Sequence, residues 1–246
     1  MTSKKLYGLK RYLLDFINLS KAGKLPKVLM LSGKKGQGKF TLIQHLMAYI
    51  FDKNNYDLKS LTINEKNKLA NSIKENLNSN VIYFKCSDKN VKIDDIRALR
   101  LNLQKSSINN LSRFVVFDDV EGLSENCTNA LLKTIEEPSE TNYFILINNK
   151  SKNLLDTLKS RSIEIMIFLT NIEKEEIIQR LILEYDIETK ITLKNSMLTP
   201  GNYLKYNKII LDEKIDIDDK LILNIEKLLK LKKLKKNIDY LNFAIY

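Results

Sequence analysis

The chain has 246 residues, enough for one α/β core and a small satellite domain. Hydrophobic residues make up 43% and charged residues 29%, an ordinary globular balance, and no apolar run approaches the roughly 18 residues that a membrane span requires. The 41 Lys and Arg residues outnumber 30 Asp and Glu by a formal charge of +11, which favours a polyanionic neighbour unless the Lys-, Asn- and Ile-rich composition alone raises it.

Cys86 and Cys127 are too few for a disulfide framework or a four-thiolate zinc site, and read as reduced thiols in a cytoplasmic protein. Met1 to Lys5 lead into an amphipathic pattern rather than a signal-peptide core. Leu6, Leu9, Leu13, Phe16 and Ile17 recur at helical spacing. Val28–Leu31 is a short apolar run, as expected of a strand buried on both faces, and Leu42, Leu46 and Ile50 predict the helix after it. Residues 52–80 are polar, with modest helical character from Leu61 to Leu77.

Val81–Phe84 predicts a second strand, and Ile93, Ile96, Leu99 and Leu103 a helix. Phe114–Phe117 forms a third strand ending in Asp118-Asp119; Ser124 caps a helix that stops before Pro138. Tyr143–Ile147 and Ile163–Ile167 complete five strands. Strands alternating with helices imply a mostly parallel sheet covered on both faces, with ligands at the carboxyl ends of its strands. From Thr170 a capping box with Glu173 opens a run of helices, which Thr199-Pro200-Gly201-Asn202 breaks. Leu221, Ile225, Leu228 and Leu229 then line one face of a lysine-rich final segment. The expected organisation is an α/β domain over 1–169, a small helical domain over 170–205 and a short basic tail over 206–246.

Three patterns carry chemistry. Gly33-Lys34-Lys35-Gly36-Gln37-Gly38-Lys39 matches the phosphate-loop pattern, in which backbone N–H groups converge on a phosphate chain and Lys39 reaches its outer oxygens; the plain alternative is a glycine-rich turn. The next position normally carries a hydroxyl for Mg²⁺, and here it is Phe40, whose ring cannot ligate a hard cation. Thr41 can donate to an inner phosphate, but one step along a helix turns a side chain by about 100°, away from the metal position. Asp118 stands where a metal-holding acid is expected, and Asp119 is a methylene shorter than the Glu that orients an attacking water; a solvated acidic turn is the alternative. Arg161, in Ser160-Arg161-Ser162, is either a surface cation or an arginine offered to a neighbouring subunit's nucleotide. His45 is the single histidine, so a His-based hydrolase lacks its parts.

These segments, with Asn129-Ala130-Leu131-Leu132-Lys133-Thr134-Ile135-Glu136-Glu137-Pro138, Phe144–Asn149 and Leu158–Ser162, resemble the clamp-loader branch of the AAA+ ATPases over about residues 3–205. The run from Asn129 to Pro138 is similar to the N-A-L-L-K-x-L-E-E-P signature of bacterial DNA polymerase III clamp-loader subunits. Among those subunits the altered loop is most similar to delta prime, the stator that does not hydrolyse ATP. The resemblance implies an AAA+ phosphate-loop domain with a five-stranded parallel sheet and a small helical domain. It implies a nucleotide site from Gly33, Gly36, Gly38, Lys39, Thr41 and Asp118, with Asn148 or Asn149 as the sensor of the terminal phosphate.

Arg161 is then the arginine lent to an adjacent gamma/tau subunit. The implied partners are gamma/tau and delta subunits and, through the complex, the sliding clamp and primed DNA, with no membrane. No cofactor is required; ATP or ADP is held without efficient hydrolysis.

The chain departs from that pattern at several places. Ser162 replaces the usual Cys, residues 52–80 carry no zinc-module cysteines, and no Arg stands near Thr199–Tyr203. Only residues 206–246 stand where relatives carry a collar domain. The alternative is an ATP-hydrolysing subunit of the gamma/tau type; direct phosphate contacts to nucleic acid by Arg97, Arg100, Lys105 and the terminal lysines are a further expectation.

Overall fold

Val28–Ser32 forms β1, whose five residues are all buried, because the strand lies inside the sheet and needs apolar side chains on both faces. The computed structural model describes residues 3–67, 80–87, 91–104, 112–193, 198–216, 221–235, 237 and 239–245. Around β1 the elements run as α1 (Lys10–Lys21), α2 (Lys39–Phe51), a small antiparallel pair β2 (Tyr56–Asp57) and β3 (Thr62–Ile63), β4 (Val81–Lys85), α3 (Ile93–Gln104) and β5 (Arg113–Asp118). Then follow α4 (Glu125–Ile135), β6 (Asn142–Asn148), α5 (Asp156–Ser160) and β7 (Ile163–Met166).

The main sheet has five strands in the order β4-β5-β6-β1-β7, every described pairing parallel. Its register sets Ser32 opposite Asn148 and Asp118 opposite Ile147, so the carboxyl ends of β1, β5 and β6 finish on one edge. That alignment brings the glycine loop, the acidic pair and the asparagine pair together. A core of Met30, Val115, Phe117, Phe144, Leu146, Ile96 and Leu131 fixes the strands.

Ser124 caps α4 by accepting from Cys127 N at 3.3 Å, as its sequence position predicts. The i, i+4 pair Leu131 and Ile135 of the Asn129–Pro138 signature is buried, so this part of the motif is core packing.

One expectation changes between the strands. Leu61 to Ile63 belong to a hairpin rather than a helix: Leu61 has φ 56°, outside helical backbone, and Leu6 N and Ile63 N donate to Leu61 O and Lys4 O. Residues 64–67 continue as a turn, and residues 68–77 of the expected stretch lie outside the described residues. Lys105 does as well.

Residues 169–246 form a second compact unit. It contains α6 (Asn171–Tyr185), α7 (Pro200–Asp212), α8 (Leu221–Lys235) and α9 (Asp239–Ala244). The Thr170–Glu173 capping box is formed, with both reciprocal hydrogen bonds. Thr199-Pro200-Gly201-Asn202 starts a helix: Thr199 is the N-cap of α7 and Pro200 its first residue, where a missing N–H costs nothing. The 205/206 division therefore falls inside α7, and Leu228 and Tyr240 share one apolar cluster with Ile178, Tyr203 and Tyr206. Among the described residues, no helix is long and apolar enough to cross a membrane.

Candidate functional site

The chain leaves β1 at Ser32, turns through Gly33 to Gly38 and enters α2 at Lys39. Gly38 caps the helix at φ 86°, left-handed backbone that glycine adopts without penalty. At Gly33 the constraint is space: a Cβ would lie 2.5 Å from Ile167 O and 2.6 Å from Gln37 Oε1. Lys39 is only 3% exposed, and its Nζ donates to Gly33 O at 2.7 Å and Lys34 O at 2.9 Å. Burial lowers its pKa to about 8, while the nearby acids Asp118, Glu121 and Asp119 pull it back up. Among the described residues, no donor reaches the buried acceptor Gln37 Oε1. The glycine turn, the helix start and the inward lysine fit a phosphate group. Thr41 is half-buried in the first turn of α2, and Gly36 takes φ 85° at the turn.

The position beside the loop does not fit a magnesium ion. The Phe40 ring meets the Tyr83 ring edge-on, with centroids 5.1 Å apart, and the Tyr83 hydroxyl donates to Asp118 Oδ2 at 2.9 Å. An apolar ring therefore stands directly after Lys39, and a phenol is bonded to Asp118. Burial, then the neighbouring Asp119, raise the Asp118 pKa; the Tyr83 bond works against that rise. Burial, followed by Asp118, also pushes the Tyr83 phenol upward, so it remains a donor.

Asp119 is held from two directions. Lys35 Nζ of the loop lies 3.0 Å from Oδ2, and Asn149 Nδ2 donates to Oδ1. Its backbone is left-handed at φ 58°, which a short carboxylate side chain tolerates. Asn148 points elsewhere: its Nδ2 donates to Ser32 Oγ at 3.0 Å and its Oδ1 accepts from Lys150 N at 2.9 Å. Of the two asparagines, Asn149 touches the acidic pair and Asn148 ties β6 to β1. Glu121 fastens the same turn, accepting from Asn149 N at 3.0 Å and Ser151 Oγ at 2.9 Å.

Arg161 follows α5, away from this cluster in the chain's own bonding network. Its Nε donates to Glu136 Oε1 at 2.9 Å, Nη2 lies 2.7 Å from the same oxygen, and Nη1 donates to Thr157 O at 3.2 Å. Sequence reasoning missed Tyr83, Lys35, Glu121 and Glu136. Lys35 and Glu136 sat inside recognised motifs, but pairing across 84 and 25 positions leaves no local signal. No group of three or more His, Cys, Asp or Glu is placed to hold a metal ion among the described residues.

The family model for the DNA polymerase III delta subunit matches residues 9–170. The chain belongs to this DNA polymerase III family. The match takes in the glycine loop, the Asp118-Asp119 strand tip, the Asn129–Pro138 helix and Arg161. Family relatives include the DNA polymerase III subunit delta' of Buchnera aphidicola subsp. Baizongia pistaciae, 33% identical over 85 residues, 35% of this chain and 25% of that protein. The DNA polymerase III subunit gamma of Buchnera aphidicola subsp. Schizaphis graminum is 29% identical over 173 residues, 70% of this chain and 46% of the relative. The matched parts thus span less than half the length of either relative. The RuvB Holliday junction branch migration motor of Thermotoga maritima superposes with a TM-score of 0.54 at 20% identity, covering 96% of this chain and 80% of that one. That likeness shows the fold alone: a parallel five-stranded sheet followed by helices.

Proposed function

We propose that the chain is a stator of the delta-prime type. It braces a clamp loader with gamma/tau and delta subunits, supports loading of the sliding clamp on primed DNA, and lends Arg161 to a neighbour's ATP site. It holds ATP or ADP, when it holds either, without efficient hydrolysis. The observation that carries the reading is the Phe40–Tyr83–Asp118 chain of contacts, which replaces a metal shell by rings and a phenol. Asp119 adds support: the acid nearest the position of a catalytic base is ion-paired to the loop's own Lys35. Among the described residues, Arg161 has guanidinium N–H groups left beyond its contacts with Glu136 and Thr157, the chemistry needed to meet a phosphate.

The test is a turnover assay with and without partners. The purified chain is expected to leave ATP intact, and Arg161→Ala is expected to slow hydrolysis by an assembled complex whose mass is unchanged. Turnover by the chain alone at the rate of an intact AAA+ ATPase would support the second reading, a gamma/tau-type ATPase. The gamma-subunit match, which covers 70% of this chain, favours that reading.

A further inference from the structure

Arg161 and Glu136 lie on different elements, and each is placed by its own helix end. Glu136 is the C-cap of α4, its N–H bonded to Leu132 O at 3.0 Å, with the buried Ile135 immediately before it and the buried Leu131 one turn earlier. Arg161 is the C-cap of α5, whose Leu158 is fully buried. Two anchored backbones therefore present an acid and a base to one another. The bond takes one side of the guanidinium: Nε donates to Glu136 Oε1 at 2.9 Å and Nη2 stands 2.7 Å from that oxygen. Nη1 donates once, to Thr157 O at 3.2 Å. A guanidinium carries five N–H groups, so its Nη1/Nη2 end retains donors for an incoming anion.

We propose that Glu136 is a positioning residue for Arg161: it grips the Nε side of the guanidinium and aims the Nη1/Nη2 end at the phosphates of a neighbouring subunit's nucleotide. This rests on the reading that Arg161 acts in trans. A free arginine samples many rotamers, and fixing it before the neighbour docks removes that ordering cost from the transition state. Side-chain exposures of 36% for Arg161 and 46% for Glu136 make the pair a weak contributor to stability, so conservation of fold alone does not require it. It also gives the first Glu after the signature's apolar stretch a task that core packing does not.

The experiment compares complexes reconstituted from the full chain and its ATP-hydrolysing partners, carrying Glu136→Ala, Glu136→Gln, Arg161→Ala or Glu136→Ala with Arg161→Ala. Assembly is checked by mass and folding by thermal melting. Glu136→Ala is expected to lower kcat for ATP about three- to tenfold with KM unchanged. Glu136→Gln, which keeps an acceptor but loses the charge, is expected to fall between it and the parent. The double variant is expected to match Arg161→Ala. Normal turnover with Glu136→Ala, or effects of the two substitutions that multiply in the double variant, would overturn the positioning role while leaving the stator reading intact. Unchanged turnover with Arg161→Ala would overturn both.

Discussion

Lys35 reaches 3.0 Å from Asp119 Oδ2, joining the glycine loop to the tip of β5 by an ion pair across 84 residues. The Asp119 side chain is nine-tenths buried and that of Lys35 41% exposed, so the pair is neither a surface contact screened to nothing nor a fully desolvated one. With Asn149 on its other oxygen, each carboxylate oxygen of Asp119 accepts one hydrogen bond from the protein. The acidic pair is thereby divided: Asp118 belongs to Tyr83, and Asp119 to the loop.

Restoring the missing hydroxyl by Phe40→Thr is expected to leave ATP turnover at background. Tyr83 still occupies Asp118, and Asp119 stays tied to Lys35. Loss of the edge-on ring contact should cost about 0.5–1.5 kcal/mol beyond the lost apolar burial. Phosphate release and chemical denaturation report the two effects; vigorous hydrolysis by this single variant would refute the account of the site.

Gly33→Ala is expected to destabilise the chain by about 1–3 kcal/mol, as overpacking does. The added Cβ meets a backbone oxygen, Ile167 O, at 2.5 Å, which cannot swing aside as a side chain would. Gly23→Ala is the control, since its φ of +66° is strained but nothing lies within 4 Å of the new carbon. Urea midpoints should therefore fall further for position 33; equal losses would mean that backbone strain, not crowding, governs the loop.

Tyr83→Phe removes a donor from a partly buried carboxylate and is expected to cost about 1–3 kcal/mol. The Asp118 pKa, already raised by burial, should climb further, because the lost bond was one of the groups holding it down. Carboxyl chemical shifts followed against pH measure this directly. A downward shift would contradict the hydrogen bond.

His45 supplies an acid-sensitive point of the fold. It is wholly buried, with Nδ1 3.0 Å from the Tyr56 hydroxyl and Nε2 3.3 Å from Ser3 O. Burial lowers its pKa from 6.5 to about 4, with the Ser3 carbonyl acting weakly the other way. The unfolded chain therefore takes up a proton below about pH 6.5 that the folded chain refuses until about pH 4. This contribution to stability is intact above pH 6.5 and shrinks through that window, by roughly 3 kcal/mol when complete. His45→Gln should flatten that part of the stability–pH curve, measured by urea unfolding at successive pH values; an unchanged slope would assign it to carboxylates.

Much of this molecule is local information. Apolar runs of four or five residues become the inner strands β1, β5 and β6, buried on both faces, whereas β7 at the sheet edge is largely exposed. Ser124 and Thr170 start helices because their oxygens satisfy exposed N–H groups at once. The glycine spacing fixes a turn before α2, and Phe40 excludes a hydroxyl ligand by its covalent structure alone. The β2–β3 hairpin was not legible, since two-residue strands offer no period to count.

Partnership is what the tertiary structure alone decided. Whether Asn148 or Asn149 faces the acidic pair depends on which way β6 presents alternate side chains once its register with β1 is set. That Tyr83 caps Asp118, Lys35 holds Asp119 and Glu136 grips Arg161 follows from packing that closes gaps of 35, 84 and 25 residues. A sequence dictates each element through neighbours within a few positions, whereas an ion pair needs two side chains brought within about 4 Å, a distance set by the whole sheet and the helices laid upon it.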